Sequence, residues 1–486
     1  MQLHDLLGAI DVLEVLHDAP VDVVDVVHDS RSVRPGDLFC CIPGALTDGH
    51  EFAAAAIERG AGALLVERRL DPEVPQVLVP SVRRAIGPLA ARIHGDPSQA
   101  VAVVGVTGTN GKTTTTFLIE SIVACAGLTP ATIGTLGIRF AGRTEPLPFT
   151  TPEAPELQRT LGELRARGAE VIAMEVSSHA LAEHRVDGTH FAAMGFTNLT
   201  HDHLDYHGSF DEYAAAKARL FTREFGDRCA VNVDDAFGET LAAVSASAGL
   251  DVVTFGMDRD ARVSATDIIG DGDGSSFRLS VDGDAVDLRI GLPGRFNVAN
   301  ALAATAIATS LGIDVAAIAL GLERADPVPG RFEPVGSGAP VAVIVDYAHT
   351  PEGIAAAADA ARLLGEGRLI IVFGCGGDRD RAKRALMGVA AGRGADHVVL
   401  TTDNPRSEDP ATIAELAADG LRSVGADFTI ELDRRLAIRA ALRVAGPGDT
   451  VLILGKGAET EQQIGTTRLP FDDRVVAAQE TAARWN

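Results

Sequence analysis

Residues Gly105 to Thr116 read GVTGTNGKTTTT, a spacing suited to phosphate chemistry. Gly108 and Gly111 let backbone N–H groups turn toward an anion, and a helix opening near Lys112 would add the positive end of its dipole. The Lys112 ammonium can offset β- and γ-phosphate charge, and the Thr113 hydroxyl suits Mg2+. The usual spelling of such a loop is G-x-x-x-x-G-K-[ST]. Val106 stands where its first glycine belongs. The alternative is a glycine-rich turn that binds nothing. G-K-T directly between an apolar strand and a helix argues against it.

Two more stretches carry chemistry near that loop. In MEVSSHAL, Glu175 ends an apolar run, where a parallel neighbour of the loop strand would also end. A carboxylate there can hold a phosphate-bridging Mg2+; N-capping or a salt bridge is the plainer use. FTNLTHDHLDYHG spaces His201, His203 and His207 as H-x-H-x-x-x-H. Zinc would need a sequence-distant fourth ligand and rarely sits beside a nucleotide, so these side chains are expected to orient the loop, with His203 the magnesium ligand. Lys217, on the helical pattern DEYAAAKARL, reads by default as a solvated surface lysine.

Elements of three kinds must position these groups. A chain of 486 residues is too long for one core. Residues 1–98 alternate short strands with a helical EFAAAAIERGA, as in a small mixed α/β domain. From 99 to 328, strand, glycine loop, helix and returning strand describe a doubly wound nucleotide-binding domain, with GDGDGSS as a hairpin turn. From 329 to 486, five strands alternate with alanine-rich helices, which predicts a second, Rossmann-like parallel sheet. Ligands of such sheets sit at the carboxyl ends of the strands. Four of those ends read DYAHTPEG, GCGGDRD, TDNPRSE and GKGAETE.

Composition narrows the partners. A net charge of −24 argues against a nucleic-acid backbone binder, which needs a basic stripe. No apolar run approaches the ~20 residues of a membrane span, and no signal segment is visible at the N-terminus. Cys40, Cys41, Cys125, Cys229 and Cys375 show no metal spacing, and adjacent Cys40 and Cys41 point to opposite faces if they lie on a strand. Buried, reduced thiols in a cytoplasmic protein are the expectation.

The ordered set GTNGKTT, TTPE, MEVSSHAL, FTNLTHDHLDYHG, AAKARLF, GRFE, DYAHTPEG, GCGGDRD, DNPRSEDP and GKGAE resembles the Mur ligase family over nearly the whole chain, most closely its diaminopimelate-adding branch. That family writes its loop G-T-N-G-K-[ST], so Val106 fits it. The resemblance implies an ATP-dependent amide ligase of peptidoglycan precursor synthesis, joining meso-2,6-diaminopimelate to UDP-N-acetylmuramoyl-L-alanyl-D-glutamate through an acyl phosphate. It implies ATP at Gly108, Thr109, Asn110, Gly111, Lys112, Thr113 and Thr114, with Asn300, Arg331, Asp346 and His349 helping. It implies nucleotide-sugar peptide contacts at Ser30, Thr150, Thr151, Ser177, Arg185 and Lys217. Lys217 matches a lysine carbamylated in the family, whose carbamate helps hold a second Mg2+ with His203. Diaminopimelate would meet Arg379, Asp403, Asn404, Pro405, Arg406, Gly455 and Glu459. Arg406 would grip its distal carboxylate, which lysine lacks; the plainer use of Arg406 is a surface pair with Glu408 or Asp409. A cytoplasmic monomer acting on small molecules is expected.

One departure stands out: the family's last motif is G-K-G-H-E, and Ala458 replaces its histidine. A lysine-adding ligase is the nearest alternative. The folylpolyglutamate and cyanophycin synthetase branch shares the loop but not DNPR. A regulatory phosphate-loop switch or inactive scaffold would need neither DNPR nor GKGAE.

Overall fold

The computed structural model describes residues 1–486 apart from 45, 46, 337 and 486. Its first sheet has five strands in the spatial order Glu14–Leu16, Gln76–Leu78, Ala63–Val66, Leu38–Cys40, Val26–Val27, all parallel except the Glu14–Leu16 edge. Cys40 enters one apolar core of this sheet and Cys41 another, as residues on opposite faces must. Four of the five thiols are buried; Cys125, near a helix end, is only half-buried, contrary to expectation.

The second sheet has eleven strands. Its parallel centre places Ala102–Thr107 between Ala193–Phe196 and Val171–Glu175, with Pro130–Gly134 beyond the latter. The chain therefore reverses its direction of winding around Ala102–Thr107, and the glycine loop leaves that strand at a crevice favoured for ligands. Val103, Val104 and Val106 are completely buried. Burying each such side chain stabilises the fold by about 1.5–3 kcal/mol, which gives the loop a rigid floor. The doubly wound centre is widened by antiparallel strands at both edges, Gly137–Phe140 and Arg143–Glu145 on one side, Gly274–Val281 and Asp284–Ile290 on the other. The sheet is therefore mixed. The GDGDG turn does join two antiparallel strands, Val263–Asp271 and Gly274–Val281.

The helix Arg295–Ser310 is alanine-rich and buried on almost every side, between the Lys112–Cys125 helix and the sheet. Small side chains permit that close approach. It delivers Asn300 to the loop: a Cβ on Gly111 would lie 2.2 Å from Asn300 Oδ1, and Gly111 has φ +88°. Only glycine meets both demands.

In the third sheet the spatial order is Glu333–Pro334, Ala342–Asp346, Thr450–Leu454, Leu369–Phe373, His397–Leu400, Phe428–Ile430. The four strands whose carboxyl ends were singled out in the sequence are thus side by side. Two features were not anticipated. The short antiparallel edge Glu333–Pro334 carries a proline where an edge tolerates one. A separate hairpin, Glu461–Ile464 with Thr467–Pro470, is polar and largely exposed, so no apolar alternation marks it. No helix among the described residues is long and apolar enough to cross a membrane.

Candidate active site

The loop is pinned from behind by the segment after Ala193–Phe196. Thr109 Oγ1 accepts from Thr200 N (2.9 Å) and lies 3.0 Å from the Tyr213 hydroxyl. Asn110 N donates to Asn198 Oδ1 (2.9 Å), and Asn110 O accepts from Thr197 Oγ1 (2.6 Å). Lys112 Nζ donates to Gly108 O (2.9 Å) and Thr109 O (3.0 Å). Thr114 is buried in the first helical turn. Glu175 ends the neighbouring parallel strand, in register with Val106. Its carboxylate accepts from Thr113 Oγ1 (3.0 Å), Thr135 N (2.8 Å) and Thr135 Oγ1 (3.1 Å).

Lys217 is not a surface lysine. It is 1% exposed, donates to the same Gly108 carbonyl as Lys112 (2.9 Å), and lies 4.6 Å from the Tyr213 ring centre. Burial, with Lys112 nearby, pulls its ammonium well below the usual lysine range. Burial also lowers Lys112, against the attraction of Glu175. A neutral amine in place of an ammonium is the form open to electrophiles.

Groups from the third sheet close over this loop. Arg331 Nη2 donates to Thr113 Oγ1 (2.9 Å), and its guanidinium sits 4.3 Å from the Tyr347 ring centre. Asn110 Nδ2 donates to Thr350 Oγ1 (3.4 Å). Asp346 is buried, accepts from Phe332 N and Ala348 N (2.7 Å each), and fixes the bend carrying Arg331 and His349. Burial raises its carboxyl above the ordinary range. Asp202 is not marked by the spacing of the neighbouring histidines. It is 3% exposed and accepts from Lys383 Nζ across the joint (2.8 Å), with His203 Nε2 at 3.3 Å and His349 Nε2 at 3.5 Å. Burial alone would raise its carboxyl, but His349, Lys383 and His203 outweigh it and hold it well below the ordinary range. His201 pairs likewise with Asp380 (2.8 Å). Nothing in the local pattern RDRAKRALM marks Lys383, because its partner lies 181 residues away.

Oxygen donors dominate the loop mouth. The Glu175 carboxylate and Thr113 hydroxyl form a hard-ligand pair, which fits Mg2+ completed by phosphate and water. Burial pushes His203 down to about 2, leaving a neutral imidazole. No hydrogen bond joins His203 to Glu175 or Lys217, and no three His, Cys, Asp or Glu side chains among the described residues form a ready metal cluster. Lys217 supplies an oxygen only if carbamylated.

The nucleotide-sugar candidates divide. Thr151 Oγ1 donates to Glu175 O (2.9 Å) and accepts from Ser177 N (3.1 Å); Thr150 lies 3.2 Å from Thr135. Ser177 caps the Ser178–Ala182 helix. Arg185 reaches Thr151 O (3.4 Å) but is paired with Glu153 (3.0 Å). These four gather at the end of Val171–Glu175. Ser30 lies apart on the first sheet's side, in a turn where Arg31 pairs with Asp29.

In the third cleft, Glu408 is held by Arg384 (2.7 Å) and Arg381 (2.8 Å), while Asp409 caps the Pro410–Ser423 helix. Neither pairs with Arg406. Its Nη1 donates to Gly377 O (2.7 Å), and among the described residues it has no carboxylate partner. Arg379 is exposed and, among the described residues, bonds only the Asp378 carbonyl (3.1 Å). Both arginines flank Gly376: a Cβ there would lie 3.2 Å from Arg406 Nη1 and 3.6 Å from Arg379 Cγ. Burial and Arg379 both lower the Arg406 pKa, as two neighbouring cations should. Opposite, Glu459 Oε2 accepts from Lys456 Nζ (2.7 Å) and Asn404 Nδ2 (2.8 Å). Lys456, completely buried, was not singled out in the sequence. Asp403 and Gly455 meet beyond the ends of His397–Leu400 and Thr450–Leu454, the two strands that flank Leu369–Phe373, and a Cβ on Gly455 would lie 2.5 Å from Asp403 Oδ2. Pro405 is buried in the loop that follows Asp403. Ala458 packs backbone to backbone against Gly330.

Family models match three stretches: the Mur ligase family catalytic domain at 23–93, the Mur ligase middle domain at 106–308, and the Mur ligase glutamate ligase domain at 330–457. The chain is 43% identical over 485 residues to the UDP-N-acetylmuramoyl-L-alanyl-D-glutamate–2,6-diaminopimelate ligase of Geobacillus thermodenitrificans, covering 98% of both chains. It is 45% identical over 472 residues to the ligase of that name from Syntrophomonas wolfei, covering 96% of both. A solved structure of a ligase with the same name superposes with a TM-score of 0.71 at 32% identity, covering 100% of this chain and 99% of the other.

Proposed function

The chain belongs to the Mur ligase family, and we propose that it joins meso-2,6-diaminopimelate to UDP-N-acetylmuramoyl-L-alanyl-D-glutamate at the expense of ATP. The observation that carries the amino-acid assignment is Arg406 and Arg379, two adjacent guanidiniums without carboxylate partners among the described residues, on the third sheet's strand ends. A ligand carboxylate matches that pair in charge and in its capacity for two hydrogen bonds.

ATP occupies the Gly108–Thr114 loop, where Lys112 exchanges the Gly108 and Thr109 carbonyls for phosphate oxygens. Asn300, Arg331, Asp346 and His349 enclose it from the flanking helix and the third sheet. Thr113 and Glu175 would hold Mg2+, and His203 with Lys217, once carbamylated, would hold a second; bound there, the metal would offset charge on the transferring phosphoryl group. Thr150, Thr151, Ser177 and Arg185 orient the peptide, and Ser30 meets the uridine end.

The glutamate carboxylate attacks the γ-phosphorus, the bond to the β-phosphate oxygen breaks, and ADP leaves an acyl phosphate. The reacting ammonium of diaminopimelate loses a proton, and the free amine attacks the acyl carbon; the C–O bond breaks, phosphate departs, and the nitrogen sheds a second proton as the amide forms. Lys112 and Arg331 stabilise charge in the first step. Arg406 and Arg379 hold the distal carboxylate and Glu459 the distal ammonium, so that the reacting amine faces the loop. An ADP-release assay with the nucleotide-sugar dipeptide, run with and without meso-diaminopimelate, tests the reading. Release should depend on the amino acid; equal release without it would mean an NTPase, not a ligase.

A further inference from the structure

The hairpin of Glu461–Ile464 and Thr467–Pro470 belongs to no large sheet and has no part in the proposed chemistry. Its free hydrogen-bonding groups nevertheless converge on the loop after the His397–Leu400 strand. Gln462 is buried, and its amide donates to Asp403 O (2.8 Å) and Thr402 O (3.4 Å). Gln463 N donates to Asn404 Oδ1 (2.8 Å), and Gln463 O accepts from Arg406 N (3.2 Å). Gly465 N donates to Arg406 O (2.7 Å). Lys456 ties the hairpin to the cleft, donating to Glu461 O (2.7 Å), Glu459 Oε2 (2.7 Å) and Asn404 Oδ1 (3.3 Å).

Arg406 needs such support. Its φ of +49° lies in the left-handed region that a side chain with a Cβ disfavours. Both backbone polar groups of Arg406 are taken by the hairpin, so its conformation is fixed from outside rather than by local preference. Asn404 is likewise saturated on its oxygen by the hairpin and Lys456, which leaves its amide directed at Glu459. The hydrogen bonds from Gln462, Gln463 and Gly465 to this loop stay within the third region.

Resting on the proposed ligase reading, we infer that this hairpin is a clip that sets amino-acid selectivity, with Gln462 and Lys456 as positioning residues for Arg406, Asn404 and Glu459. The ligand it serves is an amino acid bearing a second, distal carboxylate. A supporting shell of this kind acts through geometry: a shift of about 1 Å in a binding group costs up to about a hundredfold.

The test compares full-length Gln462→Met and Lys456→Met with the parent protein, measuring kcat, the KM of each substrate, and the diaminopimelate-to-lysine ratio of kcat/KM. The KM for meso-diaminopimelate should rise at least about tenfold in each, and the selectivity ratio should fall by a similar factor. The KM for ATP and for the nucleotide-sugar dipeptide should stay within about twofold. An unchanged amino-acid KM in folded Gln462→Met overturns the inference, as does an ATP KM that rises in parallel, the mark of a merely structural role. If Gln462→Met does not fold, two glycines inserted after the exposed Gly465 loosen the same contacts, and the same pattern is required. Should the parent protein use a different amino acid, the diaminopimelate assignment fails separately. The clip then stands or falls on whether the accepted amino acid alone shows the raised KM.

Discussion

The middle sheet meets its two neighbours through joints of opposite character. Toward the first sheet, Asp25 pairs with Arg159 (2.9 Å), and Arg83 with Glu153 (2.9 Å) and Glu183 (3.0 Å). There the backbones also touch: a Cβ on Gly87 would lie 2.2 Å from Asp187 O. Toward the third sheet, the contacts come from loops at strand ends: Arg331 with Thr113, Thr350 with Asn110, Lys383 with Asp202, Asp380 with His201. The first joint is backbone packing stitched by ion pairs, which should resist opening. The second consists of side chains that also define the phosphate site, so its opening and closing would make and unmake that site.

The largest effect is expected beneath the second joint. Lys217→Ala should lower kcat at least about a hundredfold while leaving the thermal unfolding temperature near that of the parent, because it removes the group that reaches Gly108 O in the phosphate loop and is proposed to hold the second Mg2+. Short carboxylates supplied in solution should restore part of the rate if the working form is the carbamate. Full activity of the alanine variant would remove Lys217 from the chemistry.

Next comes the cleft that the joint closes upon. Losing a buried charge-assisted pair costs about 2–5 kcal/mol, so Arg406→Ala should weaken diaminopimelate use at least about a hundredfold and lysine use far less. Equal losses for both amino acids would refute the selectivity assigned to Arg406.

The joint itself should carry a smaller share. Lys383→Met leaves Asp202 without its cross-joint cation, and kcat/KM should fall by about tenfold. Solution scattering with an ATP analogue and the nucleotide-sugar dipeptide should show the parent protein contracting and the variant contracting less. Identical contraction would make Lys383 dispensable for closure.

The first joint supplies the contrast. Burial alone would raise the Asp25 carboxyl, but His94, the Val26 N–H and Arg159 bring it down from 3.8 to about 2. A carboxyl depressed in the folded state adds stability above its unfolded pKa, and that stability is lost as pH falls from 3.8 through about 2. Asp25→Asn should therefore lower stability at pH 7 by about 1 kcal/mol, flatten the acid limb in that window, and leave kcat unchanged. A reduced kcat would mean that this joint also moves in catalysis.

These joints also mark what could be read from the chain. The glycine loop, the four strand ends and the order of the motifs are local patterns, and the sheets do set those strand ends side by side. Glu175 could be placed because an apolar strand ends at it. From its local pattern Lys217 reads as exposed, since a charged residue on an alanine-rich helix carries no sign of what covers it. Asp202, Lys383 and Lys456 were invisible for a related reason: each is defined by a partner across a joint or a fold of chain, and one-dimensional spacing does not encode that. The clip hairpin lacked apolar alternation altogether. Much of its grip lies in backbone groups, which every sequence possesses, and the rest in one buried glutamine that nothing local marks.

The most direct test of the whole account is the identity of the product. Purified protein would be given ATP, UDP-N-acetylmuramoyl-L-alanyl-D-glutamate, and equal concentrations of meso-diaminopimelate and lysine, and the nucleotide products resolved by mass spectrometry. The account predicts a diaminopimelate-bearing tripeptide, formed in step with ADP and phosphate, and little lysine adduct. A predominant lysine product, or ADP released without any tripeptide, would contradict it.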